Sequence, residues 1–141
     1  MIKTVKVFEQ GSAISDYILE NIPQNVVIGG DNADFGIVMP GFCGEITGSF
    51  EVLLVPQKFA GRFQNNTVIT YGMEAESMTT LSSVGEERCV MTVQRELRDI
   101  WGKAIEPQDI VVPRMHLEPD AALAASAALL MIGADKVFVG I

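Results

Sequence analysis

The chain has 141 residues, with 48% hydrophobic and 20% charged side chains. That is ordinary globular usage, in a length that suits one domain and buries a real core without disulfides or a structural metal. The formal net charge is −8, and no Lys or Arg stands between Lys6 and Lys58, a stretch that holds Glu9, Asp16, Glu20, Asp31, Asp34, Glu45 and Glu51. Such a half repels a phosphate backbone, so neither nucleic acid nor an anionic membrane is an expected partner. It reads as a solvated acidic surface, with docking of a basic protein partner as the alternative.

The opening Met-Ile-Lys-Thr-Val-Lys-Val lacks the long apolar stretch and small-residue cleavage site of a secretory leader. No apolar run reaches the ~18 residues of a membrane span. The cytoplasm is the expected location. Cys43 and Cys89 form no Cys-x-x-Cys pair and His116 is the lone histidine. A Cys/His zinc site lacks ligands, and the two thiols are expected to stay reduced.

Residues 4–8 read as a short strand. Gly11-Ser12 opens an amphipathic helix, with Ser12 as its cap and Ile14, Tyr17, Ile18 and Ile22 on one face. Pro23 ends it. Residues 25–28 are an apolar strand, so the opening is a βαβ unit with a parallel pair. Strands are also expected over 36–39, closed by Pro40-Gly41, over 50–55, stopped by Pro56, and over 67–71, ended by Gly72. Residues 58–66 are a short helix or a loop.

From 77 to 112 the pattern is antiparallel sheet, with strands 78–84 and 88–97. In the second, Cys89, Met91, Val93 and Leu97 share one face and Arg88, Thr92, Gln94 and Glu96 the other. Trp101-Gly102-Lys103 reads as a hairpin turn, and 105–112 returns as the partner strand. Pro107 places that strand at an edge or a bulge. Pro119 and Asp120 suit the first turn of a helix over 121–132, Gly133 its C-terminal cap, and 136–141 is a last strand. The helix is apolar on nearly every side, which means a place inside the core or a contact with a second copy. The expected fold is one α/β domain, residues 1–141, with a mixed sheet, N- and C-terminal βαβ units and an antiparallel hairpin region.

Catalytic signatures are missing. There is no G-x-x-x-x-G-K-[ST], no G-x-G-x-x-G after a strand and no G-x-S-x-G. His116 reads as a surface loop residue rather than a base. Gly29-Gly30-Asp31-Asn32-Ala33-Asp34 follows a parallel strand, where ligands sit in such sheets. Asp31 and Asp34 suit a ribose, an amine or a hard cation, and equally suit an ordinary tight turn. Gln94-Arg95 and Glu106-Pro107-Gln108 lie on the two arms of the expected hairpin. Arg95 falls in register with the apolar face, where an unpaired guanidinium is costly, so Glu106 is its expected partner. The alternative is an arginine poised for an anion, with Gln94 and Gln108 as polar readers. Thr70-Tyr71-Gly72 with Ser82-Ser83 lines a pocket at strand ends or simply packs there.

Thr67-Val-Ile-Thr-Tyr-Gly72, Ser82-Ser83, Gln94-Arg95-Glu96-Leu97, the Gly102 turn and Ile105-Glu-Pro-Gln-Asp109 resemble a small family of uncharacterised proteins of anaerobic Gram-positive bacteria. That resemblance implies a stand-alone domain and supplies no catalytic residue. More faintly, residues 25–34, 67–72 and 121–133 are similar in order to the later part of the central domain of Mur ligases, which implies a Mur-ligase-central-domain-like or Rossmann-like fold. The P-loop by which those ligases bind ATP has no counterpart here, and none of their active-site residues is carried over. The candidate ligand-binding set is Gly29, Gly30, Asp31, Asp34, Tyr71, Gly72, Ser82, Ser83, Gln94, Arg95, Glu106 and Gln108, with no catalytic residue, metal ligand or cofactor assigned. The expected function is a non-catalytic binding or regulatory module, a homo-oligomer through helix 121–132. The alternative is a small enzyme or ligand-binding protein with a nucleotide- or sugar-nucleotide-type site at the strand ends.

Overall fold

The computed structural model describes residues 1–11, 13–63, 67–134 and 138. Strand β1 (Lys3–Phe8), helix α1 (Ala13–Asn21) and strand β2 (Val26–Ile28) form the expected βαβ unit, with β1 and β2 parallel and Lys3 opposite Val26. Ser12 lies outside the described residues. Among the described residues Glu9 serves as a cap: its carboxylate accepts from Ile14 N at 3.0 Å, Ser15 N at 2.9 Å and Ser15 Oγ at 2.6 Å. These are first-turn donors with no partner inside the helix, and a carboxylate also suits the positive end of its dipole. Ile14 and Ile18 are buried, and Tyr17 and Ile22 pack beside them.

Strands β3 (Phe35–Val38), β4 (Val52–Pro56) and β5 (Thr67–Tyr71) extend the parallel block, each within two residues of its expected start. β1 lies between β2 and β3, and β3, β4 and β5 follow in order. A 3-10 helix, Gln57–Arg62, joins β4 to β5. The antiparallel block is β6 (Thr79–Val84), β7 (Arg88–Val93) and β10 (Gln108–Pro113), with β10 at the sheet edge as Pro107 implied. The long strands expected over 88–97 and 105–112 are each interrupted. Leu97–Arg98 (β8) and Ala104–Ile105 (β9) leave the main sheet and pair in a small hairpin of their own. Its turn at Trp101-Gly102-Lys103 is held by Asp99 Oδ1, which accepts from Trp101 N at 2.9 Å and Lys103 N at 2.8 Å.

The two blocks meet at one ladder position. β5 and β6 are parallel and pair only through Tyr71 and Thr79, the last residue of one and the first of the other. β6 and β7 therefore carry the sheet on past the carboxyl end of β5. Thr79 Oγ1 donates to Thr70 O and Thr70 Oγ1 accepts from Met78 N, which fastens this junction.

Helix α2 (Pro119–Ile132) covers the seam and touches α1 together with β5, β6, β7 and β10. Pro119 opens it and Gly133, at φ +84°, closes it, as the residue types dictate. Every residue from Ala121 to Ile132 is buried by this one chain. The helix is enclosed by its own sheet, α1 and the β8–β9 hairpin, where Trp101 Nε1 donates to Ile132 O at 2.8 Å. The strand expected over 136–141 lies outside the described residues apart from Phe138, which packs on the core.

Two apolar layers result. Under the helices lie Val5, Phe35, Ile37, Leu54, Ile69, Tyr71, Cys89, Met91 and Val93. The opposite face of the parallel block carries Phe8, Val38, Leu53 and Val55 and is covered by connecting segments through Phe42, Ile46, Phe50, Phe59 and Phe63. No helix among the described residues is long and apolar enough to cross a membrane.

Candidate functional site

In a parallel sheet every strand ends on the same edge, and the turns that leave it collect there. β3, β4 and β5 do this side by side. Pro40 and Gly41 follow β3, Gln57 and Lys58 follow β4, and Gly72, Met73 and Glu74 follow β5. With Asp120 in the first turn of α2, they enclose a cavity of 210 Å³. Tyr71 forms part of its wall at 2% exposure, and its hydroxyl donates to Val38 O at 2.6 Å. Burial, reinforced by the charge of Asp120, pushes the Tyr71 phenol well above its ordinary range, so the ring stays neutral. Gly72 has φ +155°, and a Cβ there would stand 2.6 Å from Glu74 Oε1 and 3.2 Å from Ser77 Oγ. Only glycine lets the Glu74 carboxylate fold over this turn.

Two polar atoms near this edge lack partners among the described residues, one of them on the cavity-lining Gln57. Gln57 Oε1 is buried without a hydrogen bond, and so is Ser77 Oγ, on a side chain that is fully enclosed. Buried acceptors are normally satisfied by protein, water or ligand. The cavity offers carboxylate acceptors at Glu74 and Asp120 and a single cation at Lys58. Its small volume and mixed lining suit a compact polar molecule with hydrogen-bond donors.

Of the residues singled out from sequence, Tyr71 and Gly72 reach this cavity. Gly29-Gly30-Asp31-Asn32-Ala33-Asp34 does not. This segment leaves β2 and crosses β1 to enter β3. Asp34 Oδ2 accepts from Thr4 N at 2.9 Å and Thr4 Oγ1 at 3.2 Å, while Asp34 N donates to Thr4 Oγ1 at 3.0 Å. Asp31 pairs with Lys6, and its carbonyl accepts from Ser49 N. A Cβ on Gly29 would come 2.8 Å from Thr4 Cβ, so the glycine serves close packing on β1 rather than access for a ligand.

Ser82 and Ser83 are exposed at a register shift in β6. Gln94 donates through Nε2 to Ser77 O at 2.6 Å and so steadies the loop behind the cavity. Arg95 is exposed on a bend after β7, and no ion pair of Arg95 with Glu106 exists among the described residues. The expected internal pair fails because β7 stops at Val93 and the alternation of its faces stops with it. Gln108 Nε2 donates to Glu106 O across Pro107, and both side chains are exposed.

The residues missed were Pro40, Gly41, Gln57, Lys58, Glu74 and Asp120. Pro40-Gly41 and Pro56 had been read as strand stops and Asp120 as a helix-dipole residue. The signal was that each turn leaves the same edge of a parallel block. Among the described residues no group of three or more His, Cys, Asp or Glu side chains is placed to hold a metal. Comparison with protein families, with curated proteins and with solved structures finds no match to this chain.

Proposed function

We propose that this chain is a non-catalytic binding module whose cavity at the carboxyl ends of β3, β4 and β5 takes a small molecule rich in N–H donors, such as an amine. The observation that carries the reading is the pair of carboxylates, Glu74 and Asp120, that line the cavity with Lys58 as its one cation. An ammonium group suits such carboxylates through charge-assisted hydrogen bonds. Glu74 and Asp120 disfavour a nucleotide or sugar-nucleotide, whose phosphates would face two like charges with Lys58 as the only counterion. The order of elements, from the 25–34 strand and acidic turn through the Tyr71-Gly72 strand end to the alanine-rich α2, supports a fold akin to the later Mur ligase central domain without its ATP loop. The acidic surface and reduced thiols support a cytoplasmic setting.

Titration calorimetry with putrescine as the probe tests this, with uridine monophosphate as comparator. Putrescine is expected to bind, and Asp120→Asn with Glu74→Gln to weaken it at least about tenfold, the loss of one good charge pair. Binding of the nucleotide alone, or putrescine affinity untouched in the double variant, sinks the reading.

Self-association is retained through a different surface. Ile2, Val27 and Ile28 are exposed apolar side chains at and beside β2, an edge strand. Edges of this kind template pairing with another chain.

A further inference from the structure

On the far side of the 3-10 helix from the cavity lies a larger recess of 350 Å³. Its apolar walls are Phe42, Ile46, Phe59 and Phe63. The floor is firmly set: Phe42 meets Phe8 edge-on at 5.6 Å between centroids, and Phe8 meets Phe50 at 5.7 Å. Interlocked rings leave little freedom for the walls to collapse. The rim carries a guanidinium stacked on the wall. Lys58 and Arg62 are the first basic residues after Lys6, and both lie over the Phe59 ring, with Lys58 Nζ 5.2 Å and Arg62 Cζ 4.4 Å from its centroid. Neither forms an ion pair among the described residues. Of the two, Arg62 lines the recess, together with one carboxylate, Glu45, whereas Lys58 lines the strand-end cavity.

In a chain with net charge −8, a phenylalanine-walled recess whose own wall carries a guanidinium with no ion pair among the described residues offers an anion a local contact. We infer that this recess binds a flat aromatic group carrying a carboxylate or similar anion, with the rings among Phe42, Phe59 and Phe63 and the anion on the Arg62 guanidinium. Apolar walls with a few placed polar groups are how organic ligands are held. The planar guanidinium, already stacked on a ring, presents its edge to a carboxylate. The site is separate from the cavity at the strand ends and stands or falls without it.

Cys43 gives a local readout. It is exposed and lines the recess, whereas Cys89 is buried. The probe is 2-naphthoate, with the neutral 2-naphthalenemethanol and the cationic 2-naphthylmethylamine as comparators. Naphthoate is expected to slow modification of Cys43 by a water-soluble disulfide reagent and to do so at lower concentration than either comparator. Arg62→Gln, an exposed change that spares the core, is expected to raise the naphthoate concentration needed by about fivefold, the scale of one rim charge contact. Phe63→Ala is expected to abolish protection. Equal protection by all three compounds, indifference to Arg62→Gln, or calorimetric binding of naphthoate with no protection of Cys43 overturns the inference. The last result places the compound elsewhere, and the putrescine titration is untouched by any of them.

Discussion

Asp34 and Tyr71 were both candidates for contacting a ligand, and the structure gives them different work. The Asp34 carboxylate and the Thr4 hydroxyl bond reciprocally across the entry to β3, so Asp34 holds the chain where it crosses β1. Asp34→Ala leaves Thr4 N without its acceptor and is expected to cost about 1–3 kcal/mol in urea denaturation, the range for a part-buried bond to a charged group. An unchanged midpoint would return Asp34 to the list of free side chains. Tyr71 is pinned by Val38 O, and burial holds its phenol neutral in the folded state. A folded pKa raised above the unfolded value of 10.0 means that stability is complete below that pH. Above it the unfolded chain releases the proton first, and stability is lost as pH rises. Tyr17, raised by burial and by Glu20, acts in the same direction more weakly. Tyr71→Phe is therefore expected to flatten the fall in stability between about pH 10 and 11.5, measured by urea midpoints. Equal slopes for both proteins would mean that the ring is open to base.

At the scale of elements, periodicity was readable wherever an element was long and regular. Cys89, Met91 and Val93 alternate inward on β7 as their spacing requires, and the β1–α1–β2 unit follows from its apolar face and Pro23. The reading failed where periodicity ran past an element's end. Carrying the alternation two residues beyond Val93 placed Arg95 inside, although a bend had already turned it to solvent. The candidate cavity was legible only in part, because its members come from four separate turns, and Gln57, Glu74 and Asp120 have no sequence neighbour in common. Proximity of that kind is made by strand order, which no local pattern encodes. Helix α2 illustrates a third case. An apolar surface on all sides leaves burial and self-association equally open until neighbours are known, and here the chain's own elements fill every side. Ser126 is the exception to that apolar surface, fully buried with Oγ unpartnered. Ser126→Ala removes an unsatisfied group for almost no change in volume and improves helix propensity. It is expected to raise stability by roughly 0.5–1.5 kcal/mol, read as a higher melting temperature. A loss of similar size would show that the hydroxyl has a partner after all.

For the whole molecule, the surface proposed for self-association is the β2 edge. Val27→Lys puts a charge on the outward side of β2, a device that natural edge strands use against pairing. If the edge joins copies, light scattering after size exclusion is expected to show the native protein as a dimer and the variant as a monomer; a native monomer at high concentration disposes of the idea. The sheet itself is two blocks that share the ladder position at Tyr71 and Thr79 and a common cover in α2. A seam with so few cross-strand bonds is where amide hydrogens exchange first when the native state opens locally. Around one cavity, Tyr71 ends β5 at that seam, Glu74 lies in the loop that crosses to β6, and Asp120 opens the helix that covers both blocks. Whatever seats itself between them braces the β5–β6 loop against the covering helix, so occupancy is expected to be written into the exchange rates of β6 as slower opening, even at amides the ligand never touches.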